Sequence, residues 1–300
     1  MPRHSEIRQQ ITNQIIESLT NGNLPPWRQP WSDDPNAGLN TSLSTGDAYR
    51  GINQLLLQMS AFQQNFQSRW WGTFNQVRNG GASVRKGQKA TKIVLWKPVS
   101  RKRIDHNGED VKDSFFIMKQ FSVFNAEQTT GLDEFRVGAT QPEHDTTERH
   151  DHADAVIDAT NADVRYGGNQ AFYSPHDDFI QCPFRHQFES AESFYETMFH
   201  ELIHWTEKRL KWDRKNHGYA MGELIAEIGS CFIMGELNLP MAENMDNHIA
   251  YINGWLKGMK EDSKFIFKAT AQATKAVDHI LSFWKQTEAI VEPEMEEVPF

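Results

Sequence analysis

A chain of 300 residues with 31 Lys plus Arg, 40 Asp plus Glu and a formal net charge of −9 has room for a substantial core and about two domains. Nine Trp, nineteen Phe and 38% hydrophobic residues exclude a disordered polymer. Cys182 and Cys231 have no CxxC spacing, which excludes a disulfide framework and points to buried thiols in a reducing cytoplasm. No apolar run approaches the roughly eighteen residues that cross a bilayer. The N-terminal stretch reads as an amphipathic helix without the apolar centre of a signal peptide, so neither export nor membrane insertion is expected.

The halves differ in sign. Residues 1–135 hold 16 basic and 12 acidic side chains, a balance of +4, while residues 136–300 hold 15 and 28, a balance of −13. After the first helix, Pro25, Pro26 and Pro30 force an extended loop that carries Trp27 and Trp31. Tyr49 to Leu57 opens a helix, Trp70 to Val77 reads as a strand or turn-strand element, and Gly80 to Gln88 as a turn. The alternation of Thr91 to Pro98 predicts a strand, paired with a second over Phe115 to Asn125. This half is expected to be α+β with a small antiparallel sheet.

Residues 48–104 contain 11 basic side chains and no acidic one. Unpaired nucleic acid needs cations along its phosphates and flat rings beneath its bases, each stack contributing about 1–3 kcal/mol. Trp27, Trp31, Tyr49, Trp70, Trp71 and Phe74 are the candidate rings, with Arg50, Arg69, Arg78, Arg85, Lys86 and Lys89 as phosphate partners. An unpaired nucleic acid is therefore a candidate partner of this half, beside the plainer reading of buried rings and a solvated basic face.

Gly138 to His152 reads as a polar linker. Short strands are predicted at 163–166, 170–173 and 178–181. Ser193 and Glu196 suggest a capping box opening a helix over Phe194 to Leu210. Inside that helix stands His200-Glu201-Leu202-Ile203-His204, whose i, i+4 spacing puts two imidazoles on one face, as a divalent ion requires. Eighteen residues separate His204 from Glu223, on a second predicted helix over Tyr219 to Leu237. That interval is the HExxH-x18-E arrangement of gluzincin metallopeptidases. Glu223 is the first candidate for third ligand, and Glu227 is either an acceptor for a ligand His N–H or the ligand itself. Zinc is the expected ion, Glu201 the expected general base, and Tyr219 or His217 the donor to a developing oxyanion. A small sheet before the HExxH helix and a second helix after it are the zincin layout. Two closing helices are expected at 247–259 and 263–288, with His248 and His279 structural, and an acidic tail over 292–300.

Taken together, the motifs resemble the ArdC-type antirestriction proteins of conjugative plasmids, which are themselves similar to the N-terminal parts of TraC-like primases. In the first half the resemblance rests on Pro26-Trp27, Pro30-Trp31, Tyr49-Arg50-Gly51-Ile52-Asn53, Trp71, Thr73, Phe74, Gln76, Val84 to Gly87 and Val123 to Gln128. In the second it rests on Ala171 to Pro175, His200 to Trp205, Tyr219-Ala220 and Glu223 to Glu227, with a departure at Gly222 where a second glutamate is expected. The resemblance implies a single-stranded DNA-binding domain over 1–135, including Asn53 and Gln76, a linker over 136–152 and a zincin-like domain over 153–291. It also implies protection of incoming plasmid DNA from host restriction, with a restriction component or other protein as substrate. Two further readings fit the same residues: a zinc protease recruited to DNA, and a DNA-binding protein whose metal is purely structural.

Overall fold

The computed structural model describes residues 4–21, 25–28, 34–104, 110–139, 146–212, 218–241 and 246–291. Trp31, His217 and the acidic tail 292–300 lie outside the described residues.

Helix α1 (His4–Thr20) forms because Ile7, Ile11, Ile15 and Leu19 recur every fourth residue, and all four are buried. Pro25, Pro26, Trp27 and Arg28 follow, buried in turn. A four-stranded sheet has the order β1-β2-β5-β4: β1 (Thr41–Ser42), β2 (Trp70–Thr73), β4 (Thr91–Ile104) and β5 (Asp110–Asn125). The β4–β5 hairpin pairs Thr91 with Val123 and Pro98 with Phe116, and it continues beyond the two predicted strands to Ile104 and Asp110. Helix α2 (Ile52–Gln64) packs beside β4. There the Asn53 amide donates to the Val94 carbonyl at 2.8 Å and accepts from the Val94 N–H at 2.9 Å, capping the sheet edge.

Two local expectations are corrected. The element 70–77 is strand only to Thr73 and then becomes α3 (Phe74–Asn79). Thr73 Oγ1 accepts from the Gln76 N–H, and the Gln76 side chain accepts from the Thr73 N–H at 2.7 Å, a capping box that ends the strand. Short strands β3 (Ser83–Val84) and β6 (Thr129–Thr130) pair separately. In the segment read as a linker, residues 146–152 belong to α4 (Thr146–Ala159), whose Ala153, Val156 and Ile157 are buried.

A three-stranded sheet follows in the order β7-β9-β8, from β7 (Asp163–Tyr166), β8 (Phe172–Ser174) and β9 (Phe179–Cys182). Helices α5 (Ala191–Leu210), α6 (Tyr219–Glu236), α7 (Asp246–Glu261) and α8 (Phe265–Val291) complete the molecule. The α5 cap is Ser190, whose hydroxyl accepts from the Ser193 N–H, so the helix starts three residues before the predicted box. The largest buried cluster is shared by both halves: Ile7, Ile11, Ile15 and Trp27 pack with Leu202, Ile228, Trp255 and Ile280. Two smaller clusters stabilise the first sheet, one around Leu57, Trp71, Ile93 and Val123, the other around Val77, Ala82, Ala126 and Leu132.

Candidate metal centre

Helices α5 and α6 meet closely because Gly229 lacks a side chain. A Cβ there would lie 2.6 Å from Ile203 Cδ1, too close for packed atoms. Ser230 Oγ ties the same junction by donating to the Glu196 carbonyl at 2.9 Å. This approach brings the Glu223 carboxylate between the two imidazoles of α5. Glu223 Oε2 lies 3.5 Å from His200 Nε2, and Oε1 lies 3.6 Å from His204 Nε2. The three donor atoms lie within 4.8 Å of one another. For a tetrahedral ion with bonds near 2.1 Å, neighbouring ligand atoms stand about 3.4 Å apart, close to these two separations, each of which runs to a different oxygen of the Glu223 carboxylate.

The electrostatics point the same way. Burial of Glu223 opposes its charge, but hydrogen bonds from His200 and His204, and their charge, outweigh it and hold the carboxyl well below the usual carboxylate range. His204 Nδ1 is 2.8 Å from Glu207 Oε1. A carboxylate only accepts, so Nδ1 donates to Glu207 and Nε2 is the nitrogen turned towards Glu223, the one that would be offered to an ion. Glu207 therefore orients His204, the part the sequence reading offered to Glu227.

Glu227 lies one turn beyond Glu223 and faces Arg28 instead, its Oε1 being 3.6 Å from Arg28 Nη1. Glu201 is nearly buried and lines a cleft of about 660 Å³ with His200, His204, Glu223, Tyr219 and Tyr251. Tyr219 is exposed at the α6 N-terminus, its hydroxyl 3.3 Å from that of Tyr251 on α7. The hydrogen bond with Tyr219, burial and the charge of Glu223 all push the Tyr251 phenol up, so it remains a donor at neutral pH. Tyr251 was missed in the sequence because no spacing rule links α7 to the HExxH helix. Nearby, burial and the charge of Glu201 push the Cys182 thiol up to about 12, leaving a neutral thiol. Arg209 grips Asp178 with both terminal guanidinium nitrogens at 3.0 and 3.1 Å, fixing the β8–β9 turn to α5.

The predicted nucleic-acid residues divide. Trp27 is buried against Trp255, rings edge to face at 5.5 Å, and Trp71 is fully buried with its indole N–H donating to Asn40 Oδ1 at 2.6 Å. Neither ring is open to a base. Tyr49 and Trp70 are half-buried, and the Trp70 indole N–H donates to Asn36 Oδ1 at 2.8 Å. Asn53 and Gln76 make the local hydrogen bonds described above, to Val94 and Thr73. Arg69 lies 5.7 Å over Trp70 and donates to Thr41 Oγ1. Arg50 pairs with Asp278 of α8 at 2.7 Å. Phe74, Arg78, Arg85, Lys86 and Lys89 are exposed, as are Phe62, Trp96 and Phe121, three rings the sequence reading passed over.

By fold and site the molecule is a basic α+β unit joined to a zincin-like unit. Comparison with known proteins divides it similarly: residues 5–124 match the family model for the N-terminal domain of anti-restriction factor ArdC, and residues 151–272 the zincin-like metallopeptidase model MPTase-PolyVal. The metal-free crystal structure of antirestriction ArdC from plasmid R388 is 34% identical, with a TM-score of 0.75 over 94% of this chain and 98% of that one. Its Mn(II)-bound structure gives a TM-score of 0.72 over 92% and 97%. An uncharacterised Sinorhizobium fredii protein, y4eC, is 31% identical over 91% of each chain. The chain belongs to the ArdC antirestriction family. Two Escherichia coli DNA primases TraC are 33% and 34% identical over 92% and 91% of this chain, which spans 27% and 20% of their length.

Proposed function

We propose that this member of the family binds single-stranded DNA through the exposed cations and rings of its first half and holds a divalent ion between α5 and α6. It would protect incoming plasmid DNA from host restriction in the cytoplasm, and its cleft would hydrolyse a peptide bond of a restriction component or another protein. Among the described residues no helix is long and apolar enough to cross a membrane.

One observation carries the catalytic part of the reading: three ligand-type side chains converge on the wall of an open cleft with Glu201 beside them. A purely structural site is closed by four protein ligands, whereas a catalytic one keeps a position free. His200, His204 and Glu223 would hold the ion, zinc by the donor set, with manganese the second candidate from the Mn(II)-bound relative. When bound, the ion would lower the pKa of water towards about 7 and polarise a carbonyl. Glu201 takes the proton of the attacking water, holds it on its carboxyl and passes it to the leaving amine. Tyr219, which lines the same cleft with its hydroxyl 3.3 Å from that of Tyr251, is the proposed donor to the developing oxyanion.

The DNA part is supported by the exposed Arg78, Arg85, Lys86 and Lys89, and by the exposed rings of Phe74, Trp96 and Phe121. One experiment set tests both halves of the reading. Elemental analysis of the purified chain should give about one divalent ion, lost in the H200A/H204A variant. Glu201→Gln should keep the ion and lose hydrolysis by at least about a hundredfold. Mixed-sequence single strands should bind at about 50 mM salt and weaken steeply towards 200 mM. Full antirestriction by Glu201→Gln would separate peptidase chemistry from protection, and no binding at low salt would overturn the DNA reading.

A further inference from the structure

We propose that Arg28 is a positioning residue of the metal centre: carried by the segment between α1 and β1, it holds Glu196 and Glu227 together and so keeps Glu227 away from the ion that Glu223 would ligate. The proposal rests on the metal-centre reading above.

Glu196 stands four residues before His200 on α5, and Glu227 four residues after Glu223 on α6. A spacing of four keeps each acid on the same helix face as its neighbour in the site. Since α5 and α6 run antiparallel, with Ser230 against Glu196 and Glu223 against His204, both acids lie one turn along the same seam. Arg28 fills that turn. Its Nη1 pairs with Glu196 Oε1, its Nη2 lies 3.3 Å from Glu196 Oε2, and its Nη1 lies 3.6 Å from Glu227 Oε1. The Arg28 and Glu227 side chains are each 3% exposed, so this cluster is almost dry.

Two glutamates a turn apart on one helix offer a divalent ion the same donor. What distinguishes them is the group each faces: imidazoles for Glu223, a guanidinium for Glu227. In a dry seam a carboxylate stripped of its guanidinium partner seeks the nearest positive charge, which with a bound ion is the metal. Arginine suits the task because its planar fork fixes two acids at once, whereas lysine offers a single point charge. Arg28 is itself pinned, its N–H donating to the Pro25 carbonyl at 2.9 Å and its neighbour Trp27 wedged on Trp255. The residue belongs to the segment matching the ArdC N-terminal domain, outside the zincin-like match, so the site would be complete only with a side chain from the other half.

The test uses the full chain with Co(II) as probe ion, reading its visible band and its dissociation constant. Wild type and Glu227→Gln should share one band. Arg28→Met should change the band and shift the Co(II) affinity about tenfold or more. The double variant R28M/E227Q should return the wild-type band, because the intruding carboxylate is gone. Arg28→Lys should fall between. A wild-type band in Arg28→Met, an altered band in the double variant, or a band moved by Glu227→Gln alone overturns the proposal. Should Arg28→Met fail to fold by circular dichroism, Arg28→Lys and Glu227→Gln decide, the first required to move the band and the second to leave it. If wild type binds no Co(II), or His200→Ala binds it equally well, the metal-centre reading itself falls.

Discussion

His204 presents Nε2 towards Glu223 only while a partner holds its Nδ1 proton, and Glu207 does so at 2.8 Å in a buried setting. Replacing Glu207 with Gln leaves a group that can donate as well as accept and removes the charge that raises imidazole basicity. Zinc affinity should fall about 10–100-fold with the melting temperature little changed, a result readable by competition with a chromophoric chelator. Unchanged affinity would mean that packing alone orients the ring. The contrast between Glu207 and Glu227 also shows what was legible at this scale. His200, Glu201 and His204 could be read because their geometry is dictated by a four-residue spacing inside one helix. The parts of Glu223 and Glu227 could not be separated, since the side chain that distinguishes them, Arg28, is 168 residues before Glu196.

At the level of elements, the site depends on how closely two helices approach. Gly229 makes that approach, with Ile203 filling the space where a Cβ would stand. Gly229→Ala gains up to about 1 kcal/mol of helix propensity but forces α5 and α6 apart against an overpacking cost of about 1–3 kcal/mol. The net change should therefore be destabilising, with weakened metal binding as Glu223 retreats from the imidazoles. In a double-mutant cycle Ile203→Ala should recover part of the loss, with a coupling energy of about 1 kcal/mol or more by thermal or urea unfolding. Additive losses would mean that the two residues do not meet as described. Elements with strong internal periodicity, such as α1, α5, α6 and the β4–β5 hairpin, were readable from the chain. The misread ones were decided by short-range capping: Thr73 and Gln76 ended a strand that β-propensity favoured, and Ser190 took the cap expected of Ser193. Trp71 was misassigned for another reason. An indole in a basic segment looks the same whether it faces solvent or, as here, donates to a buried asparagine.

Across the whole molecule, charge and packing divide the chain differently. Charge separates a basic first half from an acidic second half, and the two family matches follow that division. The apolar core ignores it, because α1 and Trp27 are packed among residues of α5 to α8 and Thr12 Oγ1 donates to the Ser263 carbonyl at 3.0 Å. A fragment starting at residue 136 would keep every candidate metal ligand yet lose Ile7, Ile11, Ile15, Leu19 and Trp27, all at most 5% exposed. At about 1.5–3 kcal/mol for each buried side chain, the loss is roughly 8–15 kcal/mol. That matches the entire stability of an ordinary domain, about 5–15 kcal/mol. The fragment should therefore lack the cooperative melt of the full chain and bind zinc more weakly, despite an intact HExxH sequence. A fragment that melts with the full-chain midpoint would show that the first half only covers a surface of the second. If the loss is observed, the metal helices depend on the first half for their packing, and a cut before residue 136 divides the charge without dividing the fold.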